Sequence, residues 1–252
     1  MNSDIVVNGI ELRSTWLGEI DYGTALDIQR SLLDNRKAGS IPDSVLFLEH
    51  SHVVTLGRRA DETHLVTERS KLLAAGVEIF ETDRGGEATY HGPGQLVGYP
   101  IIDVRAANMG PVTYVRMLEK SIMETLTEYG INAHLVDGET GVWVDGVPDE
   151  KRDSDRNPKG RKIAAIGVRI SGGVTLHGFA LNVSTDLSYF HHIIPCGMPD
   201  LPFTSIELES GESANTRECA EKIAERLAAN LEHELSWGDH EELLNERSSS
   251  NA

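Results

Sequence analysis

Between Arg84 and Pro100 the chain reads Arg-Gly-Gly-Glu-Ala-Thr-Tyr-His-Gly-Pro-Gly-Gln-Leu-Val-Gly-Tyr-Pro, and no other stretch constrains the fold as much. Five glycines and two prolines interrupt two short β-like runs, Glu87 to Tyr90 and Gln95 to Ile102. Glycine at that density permits positive φ and lets another molecule approach the backbone. Arg84, Thr89, Tyr90, His91 and Gln95 set polar groups beside it. Bare glycine next to fixed donors is what a loop needs to wrap a ligand. A pair of tight hairpin turns with no ligand explains the stretch equally well on its own. The stretch lacks the Gly-Lys-Ser/Thr ending of a phosphate loop, and it does not open a helix as a dinucleotide fingerprint does.

The segments around it alternate irregularly between strand and helix. Ile5 to Val7, Ser14 to Leu17, Ser44 to Glu49, His52 to Leu56 and Val77 to Thr82 are strand-like. So are Ala133 to Val136, Gly141 to Val144, Arg161 to Ile170 and Val174 to Val183, with a hairpin turn at Ser171-Gly172-Gly173. Asp21 to Ala38 reads as a helix with Leu26, Gln29, Leu32 and Leu33 at helical spacing. Glu68 to Ala75 is a short helix, and Pro111 to Tyr129 an amphipathic one with the stripe Val115, Leu118, Ile122 and Leu126. Asn215 to Trp237 reads as the last long helix. Strands dominate the middle and helices fall between groups of strands. The expected class is therefore α+β, a mixed or antiparallel sheet with flanking helices. No repeat or linker divides the chain, so residues 1–244 are expected to form one catalytic-size domain. Pro148 to Gly160 reads as a polar loop, and residues 245–252 as a disordered tail.

A formal charge of -17 argues against nucleic acid as a partner, which calls for a basic face. No apolar run reaches membrane-spanning length and no export signal precedes the fold, so a cytoplasmic protein is expected. Two cysteines, Cys196 and Cys219, are too few for a disulfide framework or a cysteine-based metal site. His191 and His192 lack a third ligand at a supporting spacing, so no metal is expected.

The two cysteines read differently. Cys219 lies in line with Ile223, Leu227, Leu231 and Leu235, the buried stripe of a helix. Cys196 stands in Pro-Cys-Gly outside any periodic pattern, held on a stiff backbone and open to approach, or simply a loop cysteine. Lys162 opens the apolar run Lys-Ile-Ala-Ala-Ile-Gly-Val and either faces solvent or is drawn inward for a purpose. His177, at the head of His-Gly-Phe-Ala-Leu-Asn, fits a hydrogen-bonded structural role better than a catalytic one.

Taken together, Arg84 to Pro100, Lys162 to Val168, His177 to Asn182 and Pro195 to Gly197 resemble, in order, the motifs of the lipoyl(octanoyl) transferases. A looser likeness runs from about Trp16 to the final helix. The resemblance implies a fold similar to biotin and lipoate protein ligase catalytic domains. It implies an acyltransferase that moves an octanoyl or lipoyl group from octanoyl-acyl carrier protein to a lysine of a lipoyl domain. Acceptors would be lipoyl domains of 2-oxoacid dehydrogenase complexes and the glycine cleavage H protein, with no cofactor. It implies Cys196 as nucleophile and Lys162 as its catalytic partner. Its acyl site would comprise Arg84, Gly85, Gly86, Glu87, Ala88, Thr89, Tyr90 and His91, with Ala165, Ile166 and Gly167, and Gly178, Phe179 and Ala180. Two departures stand. Glu87-Ala88 replaces the family's Gln-Val, and the polar loop is long, but neither touches Cys196 or Lys162. Because such partners are acidic, Arg58, Arg59 and Arg161 become candidates for a cationic rim. Two rivals remain: an ATP-dependent lipoate or biotin ligase of the same fold, which needs no nucleophilic cysteine, and a non-catalytic binder of acyl carriers or lipoyl domains.

Overall fold

In the computed structural model, residues 10–145, 160–195, 197–198, 201–239 and 243 are described. The strands are β1 (Glu11–Glu19), β2 (Asp43–Glu49), β3 (Val53–Leu56), β4 (Glu78–Glu81), β5 (Ala88–His91), β6 (Gln95–Ile101), β7 (Ala133–His134), β8 (Val142–Val144), β9 (Arg161–Ser171), β10 (Val174–Asn182) and β11 (Glu234–Trp237). The helices are α1 (Tyr22–Lys37), α2 (Arg69–Ala74), α3 (Pro111–Glu128), α4 (Ile206–Ser210) and α5 (Thr216–Leu231). Eight strands form one mixed sheet in the order β11-β1-β2-β6-β10-β9-β8-β7, and β4-β3-β5 form a smaller one. The α+β class with a mixed sheet and flanking helices is what the sequence pattern led us to expect.

Period-two alternation explains how the large sheet holds two layers of helix. In β2, Val45 and Phe47 join the core built with α3 and α5, while Leu46 and Leu48 join the core built with α1. All four are fully buried. Asp21 caps α1 by accepting the Thr24 N–H at 2.8 Å, which satisfies one orphan donor of the first turn. The expected hairpin joins β9 to β10, with Gly172 and Gly173 both at positive φ, 60° and 88°, as a two-residue turn of this kind requires.

The expectation of one helix from Asn215 to Trp237 is corrected. The helix stops at Leu231, where Glu232 takes a left-handed φ of 58°, and Glu234–Trp237 pairs with β1 as a parallel edge strand. Ile5 to Val7, most of the polar loop and the tail lie outside the described residues. Among the described residues, no helix is long and apolar enough to cross a membrane.

The antiparallel register of β9 and β10 is what builds the site. It sets Ala165 opposite Ala180 and Gly167 opposite Gly178. A side chain on Gly178 would run into the Gly98 carbonyl and Pro100, so glycine lets β10 lie against β6 and leaves the wall bare.

Candidate active site

A narrow cavity lies between the glycine-rich stretch and the β9–β10 hairpin. Its wall comprises Arg84, Gly86, Glu87, Ala88, Thr89 and His91 from the first, Lys162, Ala165, Ile166 and Gly167 from β9, and His177, Gly178, Phe179 and Ala180 from β10. Tyr22, Tyr99, Pro195 and Phe203 complete it. Three motifs separated by tens of residues thus share one space. Gly85 is not part of this wall; its N–H donates to the Val168 carbonyl at 3.1 Å and ties the loop to β9. Tyr90 is also elsewhere. It sits in a separate apolar cluster with Val54, Leu56 and Phe190, stacks on Tyr189 and bonds His52 through its hydroxyl at 2.8 Å. Alternation along β5 explains this, since neighbouring residues of a strand face opposite ways.

Arg84 is buried, and it braces the loop from within. Its guanidinium donates to the carbonyls of Thr55 at 2.6 Å, Glu87 at 2.7 Å and Gly85 at 3.0 Å. The turn at Gly57 adds three main-chain bonds: Gly57 N–H to Glu87 O, Arg58 N–H to Arg84 O and Arg59 N–H to Gly86 O. The cavity edge is therefore held rigidly, as a specific binding wall must be.

Burial disfavours the charged form of both His91 and His177. Burial first, then the nearby charge of His50, holds the His91 imidazole well below its ordinary value. Gln95 donates through Nε2 to the Tyr90 carbonyl and to Asn182 Oδ1, so its Oε1 accepts from His91 Nδ1 at 2.8 Å. Burial, reinforced by Arg84, Arg169 and Arg30, pushes His177 down to about 3. Its Nε2 donates to Asp83 at 2.7 Å and its main-chain N–H to Gln29 Oε1 at 3.0 Å, the structural role the sequence suggested.

Lys162 is drawn inward, with only 2 % of its surface exposed. Its Nζ donates to the Thr140 carbonyl at 3.2 Å and stands 4.6 Å from the centre of the Trp143 ring. A buried ammonium is costly unless such partners meet it. Cys196 lies outside the described residues. Its neighbour Pro195 is buried, lines the cavity and bridges to Ala88. Downstream, Phe203 bridges to Lys162, and the Lys162 N–H donates to the Pro202 carbonyl at 2.9 Å. The segment carrying Cys196 is thus anchored on the glycine-rich stretch at one end and on Lys162 at the other. Cys219 is fully buried in the helix core, where burial pushes its thiol up to about 12.

Sequence reasoning missed Tyr22, Tyr99 and Phe203 of the wall, and also Glu119 behind it. Glu119 of α3 is fully buried, takes the Gly141 N–H at 3.0 Å and pairs with Arg116 at 2.7 Å. The signal was present: Glu119 sits four residues after Val115 and three before Ile122, a carboxylate on the apolar stripe. Among the described residues, no group of three or more His, Cys, Asp or Glu is placed to hold a metal ion.

Residues 21–228 match the model of the lipoyl protein ligase A/B catalytic domain. The chain is 45% identical over 223 residues to an octanoyltransferase of Koribacter versatilis, covering 88% of this chain and 84% of that protein. It is 44% identical over 233 residues to an octanoyltransferase of Mycobacterium tuberculosis, with 92% of each covered. In fold it is similar to lipoate-protein ligase A bound with ATP, at a TM-score of 0.74, 16% identity and coverage of 96% and 93%. It is also similar to biotin protein ligase from Aquifex aeolicus, at 0.51, 15% identity and coverage of 87% and 70%. At such low identity these two likenesses speak to architecture alone.

Proposed function

We propose, for a chain that belongs to the lipoyl protein ligase A/B catalytic-domain family and is an octanoyltransferase, a two-step transfer through a thioester on Cys196. In the first step the Cys196 thiolate attacks the carbonyl of octanoyl-acyl carrier protein, and the carrier's thiolate leaves. In the second step the amine of a lipoyl-domain lysine attacks the new thioester. An amide forms, the Cys196 thiolate is released, and the proton lost by the amine passes to Lys162, whose ammonium first favours the Cys196 thiolate and is left neutral once it has protonated the departing carrier thiolate. Acceptors are lipoyl domains of 2-oxoacid dehydrogenase complexes and of the glycine cleavage H protein.

The observation that carries this reading is the anchoring of Pro195 and Lys162 on one cavity. Cys196 is joined directly to Pro195, about 3.8 Å from one α-carbon to the next. A thioester there can lay its tail along Ala165, Gly167, Gly178 and Ala180. Burying about seven methylenes at roughly 0.8 kcal/mol each contributes on the order of 5 kcal/mol. Small residues leave the space.

The fold is shared with enzymes that bind ATP, so the donor decides between transfer and ligation. Purified protein, treated with chelator and free of nucleotide, is expected to octanoylate a lipoyl domain from octanoyl-carrier, read by intact mass. Strict dependence on ATP with free octanoate as donor would overturn the reading.

Arg58 and Arg59 are exposed on the turn that grips the glycine-rich loop, and we take them as the cations an acidic carrier would meet there. Arg161 is half-buried and paired with Glu209 at 2.9 Å, and the exposed Arg59 also meets Glu87, at 3.7 Å. The chain carries -17 overall and would repel an acidic carrier. Charges beyond the screening length of about 8 Å matter little at physiological salt, so cations at the edge govern the encounter. Arg58→Glu with Arg59→Glu is expected to lower kcat/KM for octanoyl-carrier about tenfold, a loss that shrinks as salt rises. Reaction with a small uncharged octanoyl thioester should stay normal. Equal loss on both donors would mean that the arginines serve the fold instead.

A further inference from the structure

We propose that Glu119 is a positioning residue for Lys162, acting through the single peptide bond between Thr140 and Gly141; this rests on the catalytic role given to Lys162 above. The carbonyl of Thr140 and the N–H of Gly141 belong to one planar trans unit and point in opposite directions. Lys162 Nζ donates to the carbonyl at 3.2 Å. Glu119 Oε1 accepts from the N–H at 3.0 Å. The carboxylate therefore holds from behind the group that holds the ammonium in front.

The cost of this arrangement argues that it has a purpose. Glu119 has no exposed surface, and taking a carboxylate out of water is costly unless its partners respond. Its other oxygen is met by Arg116, whose side chain is 44% exposed and screened by water. An apolar residue would pack on the Leu118–Ile122 stripe at lower cost. What the carboxylate adds is a charge-assisted hydrogen bond to an amide, about twice as strong as a neutral one. An amide that donates strongly also accepts more strongly at its own carbonyl. Glu119 thus turns and polarises the Thr140 carbonyl toward Lys162.

The surrounding backbone leaves the ammonium little freedom. Gly141 has a φ of 117°, and a side chain there would strike the Ala164 carbonyl at 2.6 Å and crowd the lysine stem at 3.4 Å. The turn therefore lies directly along Lys162. Trp143, two residues on, presents its ring face to the same Nζ. Residues 140–143 form one side of the ammonium's seat, and Glu119 sets the orientation of its first peptide.

A mutant cycle tests this, with the full chain and two readings: the rate of Cys196 alkylation by iodoacetamide, and the single-turnover rate of Cys196 octanoylation by a small octanoyl thioester. Glu119→Gln keeps an oxygen for the Gly141 N–H but removes the charge. It is expected to slow both reactions about tenfold, leaving KM for the thioester unchanged. In the Lys162→Ala background the same change should have almost no further effect, within about twofold, because its target is gone. Should Glu119→Gln fail to fold, Glu119→Asp, which keeps the charge but shortens the reach, enters the same cycle with the same expected lack of additivity. Equal losses in both backgrounds would show Glu119 to be a support of the turn and nothing more, and would overturn the proposal. So would normal rates in Glu119→Gln. A silent Lys162→Ala would instead bring down the role of Lys162, and this proposal with it.

Discussion

Cys196→Ser is expected to abolish the octanoyl adduct seen by intact mass after mixing with octanoyl-carrier, and to lower transfer to a lipoyl domain by about a thousandfold or more. A serine hydroxyl is a far weaker nucleophile than a thiolate at neutral pH. Cys219→Ser is the matched control. Its thiol is sealed in the core formed by α3, α5 and the sheet, and burial pushes it up to about 12. A thiolate there would be both scarce and out of reach of a donor. Its replacement lies beside Tyr129, so the new hydroxyl has a polar neighbour, and both adduct and turnover should persist. An adduct that survives Cys196→Ser and disappears with Cys219→Ser would reverse the assignment and remove the basis of the two-step transfer.

Much of this fold was legible where local pattern and burial agree. The apolar runs that form β2, β9 and β10 and the stripe of α1 were visible in the sequence, and so was that of α3 at Leu118, Ile122 and Leu126, although Val115 at its head is only half-buried. The final helix was misjudged for a physical reason. Leu235 continues the four-residue spacing from Cys219 to Leu231, yet it is a half-buried strand residue paired with Leu12. Spacing records that a residue is apolar, and only the non-local pairing with β1 decides which backbone carries it. Glu232, in a left-handed conformation that most side chains avoid, gives no warning in the sequence.

The site was legible to a similar depth. Its walls come from segments whose small residues and glycines were visible, but what brings them together is strand register. Gly167 faces Gly178 because of a hairpin closed at Gly172-Gly173, and Pro195 meets Ala88 through an isolated bridge. Tyr90 belongs to the motif in sequence and to another cluster in space, since β5 alternates. Glu119 was hidden by the habit of reading stripes for their apolar members, although a charged member of a buried stripe is the more informative one.

Lys162→Ala is expected to lower the turnover number about a hundredfold or more while changing KM for the octanoyl donor little. The reason lies in which species need the ammonium. A free thiol with pKa near 8.5 is only a few per cent thiolate at neutral pH. An ammonium beside it favours the charged sulfur, and each unit of lowering corresponds to about 1.4 kcal/mol of preferential attraction. With that attraction gone, the pH at which Cys196 reacts with iodoacetamide should rise. The same side chain has a second task, since the acceptor amine must lose a proton when the amide forms, and a lysine that has given up its own proton can take it. Lys162→Arg separates the two tasks. Guanidinium keeps the charge, so alkylation should recover in part, but it does not act as a base, so turnover should remain low. The seat of Lys162 also limits the exchange, because a planar fork does not fit where a single Nζ meets the Thr140 carbonyl and the Trp143 face. Normal turnover in Lys162→Ala, together with an unchanged alkylation profile, would leave the buried lysine without a catalytic role and point to another group as the partner of the thiol.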